Sequence, residues 1–319
     1  MISFIIIILL VLLCVYKLNQ HLRSITITHF KDKHVVITGC DSGFGKELAL
    51  RLDSMGFRVF AGCLTQEGRD SLSASASEKL MTVSLDVTDP GSVNQIYDFV
   101  NQNLTEGGLW ALVNNAGISG LEAPVEMCSI TDFEAALKVN LLGPIQMSKK
   151  FLPLLRKSRG RLINMTSVAG RIAAITAPYT VSKFAFEALS DCLRRELYEQ
   201  GVRVCIIEPG FHKTAILNTE AVMKRVQLAY DKSSEEVQSA YGQDFLHKLR
   251  RQYSTIVSNA AASRSPVVDA YVQAITARFP KTRYLIGVDA KYIAVPATLL
   301  PDEVVDFGMN IWKNIMAAK

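Results

Sequence analysis

The sequence predicts an α/β fold, a single domain with a doubly wound parallel sheet, preceded by an apolar helix. Two observations carry this prediction. From residue 34 onward, short apolar segments alternate with longer segments of helical periodicity, and this alternation is typical of a parallel sheet with helices on both faces. A chain of 319 residues, 49% of them hydrophobic, can also bury the large core that such a sheet needs.

The first predicted element is the almost unbroken apolar run from Met1 to Tyr16. At about 1.5 Å per residue this run is slightly short for a hydrocarbon core about 30 Å thick, although flanking residues can snorkel and the bilayer can thin. A cleaved signal peptide is the alternative, but no basic residue precedes the run and no small-x-small cleavage site follows it. We therefore expect an uncleaved membrane anchor over residues 1–18 and a polar linker over residues 19–33.

The side of the membrane on which the domain lies is left open by the sequence. Lys17 and Arg23 follow the apolar run, and basic residues at this position favour a cytosolic domain. Two formal glycosylation sequons, at Asn103 and Asn164, point the other way, although the second overlaps a predicted strand.

The catalytic domain is expected over residues 34–319, with strands and helices in alternation. Each strand candidate is a short run rich in β-branched and other apolar residues, and each helix candidate is a longer amphipathic segment. The predicted strands cover residues 34–38, 57–63, 81–85, 110–114, 161–166, 203–207 and 283–286. The clearest predicted helices cover residues 46–55, 91–103, 131–156 and 179–200. Ligands of such sheets bind at the carboxyl ends of the strands.

A glycine-rich turn follows the first predicted strand, with the sequence Thr38-Gly39-Cys40-Asp41-Ser42-Gly43-Phe44-Gly45. Glycine permits a tight turn and lets the backbone approach a pyrophosphate, which the N-terminus of the next helix attracts. A plain strand-to-helix turn could show the same glycine cluster. The turn therefore predicts a dinucleotide site only together with the other motifs of the chain.

Tyr179 and Lys183 stand four residues apart on a predicted helix, and Ser167 lies twelve residues before the tyrosine. Residues spaced i,i+4 share one helix face, so the ammonium group can lie beside the phenol. A cation at about 4–6 Å favours the phenolate and lowers the tyrosine pKa from about 10. We therefore expect Tyr179 to exchange protons near neutral pH, as the oxidation of an alcohol requires.

Further motifs occur in a fixed order along the chain. They are Val113-Asn114-Asn115-Ala116-Gly117, Asn140, Asn164-Met165-Thr166-Ser167, Pro209-Gly210 and Thr214. Together with the glycine-rich turn and the Tyr179–Lys183 pair, this order resembles the short-chain dehydrogenase/reductase family over about residues 31–290. The resemblance implies a Rossmann-like fold, a nicotinamide cofactor and hydride transfer at an alcohol carbon.

The resemblance also implies a role for each motif residue. Tyr179 would take the substrate hydroxyl proton, and Lys183 would lower the pKa of Tyr179 and bind the nicotinamide ribose. Ser167 would bind the substrate oxygen together with Tyr179. Asn140 would hold a water that links Lys183 to solvent. Besides Tyr179 and Lys183, the expected cofactor-binding residues are Gly39, Ser42, Gly43, Phe44, Gly45, Asp86, Val87, Asn114, Ala116, Gly117, Pro209, Gly210 and Thr214.

The choice between NAD and NADP has little support in the sequence. An acidic residue at the end of the second strand would accept hydrogen bonds from the ribose hydroxyls of NAD. A basic residue there would attract the 2′-phosphate of NADP. Gly62 occupies the position where the acid is expected, and no arginine follows directly in Cys63-Leu64-Thr65. We expect NAD, with NADP as the alternative.

The finer resemblance is to retinol and hydroxysteroid dehydrogenases with an N-terminal membrane anchor. It is carried by Asp41 within the glycine-rich turn, Gly108-Leu109-Trp110, Glu208-Pro209-Gly210 and Gly287-Val288-Asp289-Ala290-Lys291. This resemblance implies a hydrophobic alcohol or carbonyl substrate, such as a retinoid or a steroid, and a protein held in the membrane, expected to be that of the endoplasmic reticulum. It also allows a homodimer formed through the helices that carry Asn140 and Tyr179.

Two segments are expected to cover the substrate. Residues 211–255 contain an amphipathic helical segment, Ala221 to Tyr230, although these residues could equally pack on the core. The apolar C-terminal stretch from Tyr292 to Trp312 could cover the pocket or touch the membrane surface. His212, beside the expected nicotinamide site, is predicted to be a surface loop residue.

Other functions are less consistent with the residues. An enzyme resembling D-3-hydroxybutyrate dehydrogenase would need a cation such as Lys213 or Lys224 for the substrate carboxylate. A non-catalytic dinucleotide-binding protein would be expected to lack one of the four catalytic residues. The net charge of +5 is scattered without a basic stripe, so nucleic acid is not an expected partner. The six cysteines form no Cys-x-x-Cys pair, and we expect no metal site.

Overall fold

The computed structural model describes residues 2–173, 176–213 and 218–318. These residues form one seven-stranded parallel sheet with the strand order β3-β2-β1-β4-β5-β6-β7. The strands are β1 (His34–Thr38), β2 (Arg58–Cys63), β3 (Leu80–Ser84), β4 (Ala111–Asn114), β5 (Arg161–Met165), β6 (Arg203–Pro209) and β7 (Arg283–Ile286). The predicted fold class is confirmed, and the predicted strands agree with these bounds to within two residues.

The chain order places a crevice at the middle of the sheet. From β1 the chain moves outward through β2 and β3, and then returns to add β4 on the other side of β1. The chain that leaves β1 therefore runs toward β2, and the chain that leaves β4 runs the opposite way toward β5. A crevice opens between these two connections, at the carboxyl ends of β1 and β4.

Helices cover both faces of the sheet. The helices before β5 are α1 (Ile2–Ser24), α2 (Gly43–Ser54), α3 (Gln66–Ser73), α4 (Pro90–Asn103), α5 (Ile130–Leu137) and α6 (Gly143–Ser158). Those after β5 are α7 (Ala177–Glu196), α8 (Thr219–Lys232), α9 (Glu235–Tyr241), α10 (Phe245–Asn259), α11 (Ser265–Thr276), α12 (Val295–Ala297) and α13 (Asp302–Ala318).

Two hydrophobic cores lie on the two faces, and β1 contributes to both. Val35 and Ile37 pack with residues of α2 and α11, whereas Val36, which points to the opposite face, packs with residues of α4 and α6. All five residues of β1 are buried, as expected for a central parallel strand.

A third, smaller core lies outside the sheet. It joins the loop after β4 to α8 and α10 through Leu121, Val222, Val226 and Tyr253. We call the segment α8–α10, residues Thr219–Asn259, the lid. The predicted helical segment Ala221–Tyr230 is confirmed, since it lies within α8.

The N-terminal helix α1 stands apart from these cores. Among the described residues it is the helix that is long and apolar enough to cross a membrane, and none of the span Ile6–Ser24 is buried. The helix runs to Ser24, so the first residues of the predicted linker are helical. The chain then joins the domain where the Ile27 amide donates to the Thr276 carbonyl at 2.7 Å. The division into an anchor and a linker at residue 18 remains a prediction.

Candidate active site

A cavity of about 950 Å³ lies at the carboxyl end of the sheet. The predicted site residues that line it are Gly39, Ser42, Gly43, Phe44, Asp86, Val87, Ala116, Gly117, Ser167, Tyr179, Lys183, Pro209 and Gly210. Three further predicted residues, Gly45, Asn114 and Asn140, do not line the cavity but support residues that do. Thr214 lies outside the described residues.

The glycine-rich turn connects β1 to the start of α2 at Gly43. Gly39 has a φ of +71°, and a Cβ on it would lie 2.8 Å from the Ala116 Cα. A Cβ on Gly45 would lie 2.5 Å from the Asn115 Nδ2 and closer still to the Gly39 carbonyl oxygen. Glycine at both positions therefore lets the turn pack against the loop after β4.

The same turn leaves its backbone open toward the cavity. A Cβ on Gly43, at the N-terminus of α2, would meet nothing within 4 Å. The first amides of a helix have no partner within the helix, and the helix dipole favours negative charge there. The residues of this turn therefore fit a pyrophosphate group.

Asp41 is a cavity residue that the sequence analysis did not assign to cofactor binding. Its carboxylate accepts hydrogen bonds from the Leu64 amide at 3.0 Å and from the Thr65 amide at 2.8 Å, which lie directly after β2. Burial alone would raise the pKa of Asp41, but these bonds and one from the Thr65 hydroxyl hold it below its usual value. Gly62 at the end of β2 carries no acidic side chain, but Asp41 of the glycine-rich turn places a negative charge beside the residues that follow β2.

Asn114 does not line the cavity, although it was expected on its adenosine side, and its cofactor-binding role stays a prediction. Its side-chain amide donates to Ser148 and to Asn164, and it is almost fully buried. The next residue, Asn115, lines the cavity and donates to the carbonyls of Thr38 and Gly39. Side chains alternate between the two faces of a strand, which explains why neighbouring asparagines have different environments.

Asn140 lies in a π-helical turn, Lys138–Leu142, that interrupts the predicted helix over residues 131–156. Its amide nitrogen donates to the Ile118 carbonyl and to the Ser182 hydroxyl, both at 2.9 Å, and its oxygen accepts from the Ile118 amide. Both amide hydrogens are therefore used, and the side chain could offer a water only the remaining lone pair of its oxygen. The role of Asn140 in holding a water stays a prediction.

Ser167, Tyr179 and Lys183 meet in the cavity although they come from two elements. Ser167 follows β5, and its Oγ accepts from the Ala169 amide at 3.1 Å. Tyr179 and Lys183 lie one turn apart at the start of α7, with the Lys183 Nζ 5.6 Å from the centre of the Tyr179 ring. The Lys183 Nζ also donates to the Met165 carbonyl at 2.9 Å. Ser167 and Tyr179 can thus act on one substrate oxygen, with the Lys183 ammonium beside the phenol ring.

The pKa of Tyr179 differs from the expectation that Lys183 lowers it. Burial raises this pKa, the charge of Glu122 adds to the rise, and a hydrogen bond with Ser167 opposes it. Burial also lowers the pKa of Lys183 to about 8, despite the charge of Glu187. In this environment the cost of burying charge outweighs the attraction between the two groups.

His212 was predicted to be a surface loop residue, and this prediction was wrong, since His212 is buried. It lines the cavity, and its Nδ1 lies 3.0 Å from the Gly210 carbonyl oxygen. Its ring meets the Phe44 ring edge-on, with 5.8 Å between the centres. This long-range contact with the glycine-rich turn has no signal in the local sequence.

The lid and the C-terminal helix complete the cavity on its other side. Tyr253 of α10 and Trp312 and Met316 of α13 line it, together with Glu122 from the loop after β4. Of the C-terminal stretch that was expected to cover the substrate, Trp312 lines the cavity, and the covering role itself stays a prediction. Glu122 and Tyr253 were missed by the sequence analysis, because an isolated carboxylate and a helical aromatic residue carry no motif.

Comparison with known proteins agrees with this geometry. Residues 33–225 match the short chain dehydrogenase family. The chain is 43% identical to human retinol dehydrogenase 16 over 95% of its own length and 96% of the relative. It is 38% identical to human 17-beta-hydroxysteroid dehydrogenase type 6, with 92% of each chain covered.

Solved structures show the same fold. A short chain dehydrogenase/reductase from Burkholderia phymatum, determined in complex with NAD, superposes with a TM-score of 0.68 at 23% identity. The match covers 88% of the present chain and 97% of that structure. The family match, the relatives and the arrangement of the cavity agree, and the chain belongs to the short-chain dehydrogenase family.

Proposed function

We propose that the protein is an NAD-dependent alcohol dehydrogenase that interconverts a hydrophobic alcohol and its carbonyl compound, with a retinoid or a steroid as substrate. The observation that carries this proposal is the meeting of Ser167, Tyr179 and Lys183 in the cavity that the glycine-rich turn also lines. The names of the relatives, retinol dehydrogenase and 17-beta-hydroxysteroid dehydrogenase, support the same substrate classes.

In this mechanism Tyr179 exchanges the proton of the substrate oxygen. For oxidation, the Tyr179 phenolate accepts the hydroxyl proton while Ser167 donates a hydrogen bond to the same oxygen. For reduction, the raised pKa keeps Tyr179 protonated and able to donate. An oxidised nicotinamide held in the cavity would supply the hydride acceptor and a positive charge that favours the phenolate. Lys183, at the base of the cavity, would hold the nicotinamide ribose.

Asp41 supports NAD over NADP as the cofactor. Its carboxylate is held at the end of β2, where the adenosine ribose binds in folds of this kind. A carboxylate fixed there can accept hydrogen bonds from the ribose hydroxyls of NAD, and its negative charge repels the 2′-phosphate of NADP. NAD was expected because no residue there could bind a phosphate, and the position of Asp41 also favours NAD.

The lining of the cavity supports an apolar substrate over a small hydroxy acid. Lys213 and Lys224, which could have bound a carboxylate, are exposed and do not line the cavity. Apart from Lys183, the described lining contains one lysine, Lys313, and it is exposed on α13. The buried carboxylate of Glu122 would also repel an anionic substrate.

The apolar helix α1 supports a membrane anchor, and we place the protein in the membrane of the endoplasmic reticulum. A helix of 16 residues, the length of the apolar run in the sequence, would measure about 24 Å, which is closer to the bilayer of the endoplasmic reticulum, about 27 Å, than to thicker membranes. Exposed apolar residues of the C-terminal segment, among them Leu299 and Phe307, provide a second surface for lipid contact. Exposed Val181 and Phe184 on α7 would suit a homodimer.

The experiment that tests the proposal uses the full-length protein in membrane vesicles. Retinol, a 3α-hydroxysteroid, a 17β-hydroxysteroid and 3-hydroxybutyrate are each supplied with NAD or NADP, and reduced cofactor is measured. We expect turnover of at least one hydrophobic alcohol, with NAD preferred. Turnover of 3-hydroxybutyrate alone would overturn the substrate class, and no turnover of any alcohol would overturn the dehydrogenase function.

A further inference from the structure

A cluster of charged side chains lies beside the cavity and has no assigned role. Its centre is Arg283 at the start of β7, which donates to the buried carboxylates of Glu187 on α7 and Glu208 on β6. Arg283 also lies 3.0 Å from the Asp191 carboxylate, and Arg171 donates to Glu208 at 2.9 Å. Desolvation offsets much of the attraction within a buried cluster of this kind, so stability alone does not account for it.

Glu187 joins this cluster to Lys183. The two residues lie one turn apart on α7, and residues spaced i,i+4 share one helix face. A Cβ on Gly170 would lie 2.8 Å from the Glu187 Cγ and 2.9 Å from the Lys183 carbonyl oxygen, so the turn after Ser167 packs tightly against this face. Lys183 lines the cavity and Glu187 does not. The Glu187 carboxylate therefore lies behind the Lys183 side chain, away from the space for a cofactor or a substrate.

The contacts of Glu187 favour its charged form. Burial and the charge of Glu208 raise the pKa of Glu187, whereas the Thr166 hydroxyl and Arg283 lower it. Burial alone would lower the pKa of Arg283, but its contacts with the carboxylates raise it, so the guanidinium stays charged and stabilises a charged Glu187. Arg283 pairs with the Glu187 Oε2, and within the part of the chain that the structure describes the Oε1 has no hydrogen-bond partner. The carboxylate thus keeps part of its charge for Lys183.

Lys183 depends on this negative charge. Burial lowers the pKa of Lys183 to about 8, and the charge of Glu187 opposes the fall. Lys183 also faces the Tyr179 ring on the same helix, the Met165 carbonyl of β5 and Gly117 of the loop after β4. The carbonyl and the glycine do not titrate, and burial raises the pKa of Tyr179, so none of these groups offers a negative charge at neutral pH. Glu187 is therefore the group that favours the ammonium.

The charge of Lys183 decides what its side chain can bind. An ammonium has three N–H donors, and one of them is used by the Met165 carbonyl. The other two can donate to the hydroxyls of the nicotinamide ribose, which Lys183 would hold. A neutral amine would have one donor fewer and would lose the positive charge beside the Tyr179 ring.

We propose that Glu187 is a positioning residue whose carboxylate, held by Arg283, keeps Lys183 charged and aimed at the nicotinamide ribose. This inference rests on the proposed function and deepens it, because it names the group on which the Lys183 ammonium relies. Glu187 acts through Lys183 and lies outside the cavity lining. Its removal should therefore change the pH at which Lys183 stops working, and should leave the reaction itself intact at lower pH.

The test follows NADH affinity against pH by fluorescence titration of the full-length protein in vesicles. Reduction of retinal and of a 17-ketosteroid by NADH is measured over the same range. In the wild type we expect both quantities to fall above about pH 8, as Lys183 loses its charge while Tyr179 stays protonated. In Glu187→Gln the midpoint of this fall should move toward neutral pH by about 1 unit. NADH affinity at pH 8 should then be about fivefold weaker than in the wild type, and at pH 6 within about twofold.

The matched control is Asp191→Asn, which removes another carboxylate from Arg283 but lies two turns from Lys183. This variant should keep the wild-type midpoint. Glu187→Asp keeps the negative charge and should restore most of the shift seen in Glu187→Gln. A purely structural role of Glu187 would instead weaken NADH binding equally at pH 6 and pH 8.

Two kinds of failure can be told apart. An unchanged midpoint in Glu187→Gln, or an equal shift in Asp191→Asn, would overturn the inference while the proposed function stands. A wild type that binds NADH equally well on both sides of pH 8 would also overturn it, and this result needs no variant to fold. Failure of the wild type to bind NADH or to reduce either carbonyl compound would overturn the proposed function, and the inference with it.

Discussion

The two halves of the cavity are built in different ways. The cofactor half consists of the glycine-rich turn and the ends of β1, β2 and β4, and main-chain groups hold it to the sheet. The Asn115 side chain, for example, donates to the carbonyls of both Thr38 and Gly39. The substrate half consists of the lid and α13, and the lid packs side chain against side chain on the loop after β4 around a small separate core.

Because of this difference, the residues that would carry out the reaction and the residues that would select the substrate lie on different parts of the fold. The groups that would carry hydride transfer are fixed by the sheet, whose strands form the main cores, and by the start of α7, where the Lys183 Nζ donates to the Met165 carbonyl of β5. The groups that would select the substrate, Glu122, Tyr253 and Trp312, come from the loop after β4, α10 and α13. Substitutions in the lid can therefore change the substrate without moving the proton-transfer residues.

The largest expected effect on cofactor binding tests the rigidity of the cofactor half. In Gly45→Ala the new Cβ would collide with the Gly39 carbonyl and the Asn115 amide. Because these are main-chain and hydrogen-bonded atoms, we expect the affinity for NADH to fall by about 100-fold or more, comparable to about 3 kcal/mol of steric strain. NADH fluorescence titration measures the change. Gly107→Ala is the control, since its Cβ would meet nothing within 4 Å.

A matched pair of methionines compares the two halves directly. Met147 is fully buried in the core of the sheet and Met223 is buried in α8. Replacing a buried methionine by alanine destabilises a protein by about 2–5 kcal/mol. Met147→Ala should lower the free energy of unfolding of the whole domain. Met223→Ala should instead raise KM for the alcohol and leave the dissociation constant for NADH within about twofold.

Denaturant unfolding and steady-state kinetics on both variants measure these effects. Equal losses of global stability in the two variants would mean that the lid is not energetically separate from the sheet. A change in NADH affinity in Met223→Ala would show that the lid also affects the cofactor half, and it would contradict the separation of the two halves.

His34 allows the sheet to be perturbed far from the cavity. It is fully buried at the amino end of β1, and burial together with the charge of Arg58 lowers its pKa to about 4. Because folding lowers this pKa from 6.5, the neutral ring contributes stability above pH 6.5, and this contribution is lost as the pH falls toward 4. The full difference corresponds to about 3 kcal/mol.

We expect His34→Leu to flatten the dependence of the free energy of unfolding on pH between 6.5 and 4. NADH affinity at pH 7 should not change, because His34 lies at the other end of the strand from the cavity. His247→Gln, at an exposed position of α10, is the control and should keep the wild-type pH dependence.

The smallest expected effect concerns Asp41. Asp41→Asn removes the negative charge and keeps one oxygen, which can still accept the bond from the Thr65 amide, whereas the bond from the Leu64 amide to the second carboxylate oxygen is lost. We expect the preference for NAD over NADP, measured as a ratio of kcat/KM values, to fall by about 10-fold. Asp70→Asn on the neighbouring α3 serves as the control. An unchanged ratio in Asp41→Asn would remove the argument for NAD.

The cofactor half could be predicted from the sequence because its residues occur in ordered local motifs. The alternation of apolar strands and amphipathic helices was sufficient for the sheet, and the glycine-rich turn and the Tyr179–Lys183 spacing located the cavity. The sequence could not indicate the position of Asn114, the burial of His212 or the raised pKa of Tyr179. Each of these depends on contacts between residues that are distant in the chain, and burial of this kind carries no local signal.

The substrate half was predicted only as an apolar cover. Its helix α8 was expected, but Glu122 and Tyr253 meet only because α10 packs on the loop after β4. A polar pair formed by such packing has no periodicity and no motif.

The most direct test of the central claim, proton transfer by Tyr179, is hydride transfer in Tyr179→Phe. An alcohol substrate deuterated at its reacting carbon is supplied with NAD to wild type, to Tyr179→Phe and to the exposed control Tyr198→Phe, and deuterium in the reduced cofactor is measured. We predict label transfer at the wild-type rate in Tyr198→Phe and a loss of about 100- to 10,000-fold in Tyr179→Phe, with NADH affinity retained. Label transfer at the wild-type rate in Tyr179→Phe would contradict the account.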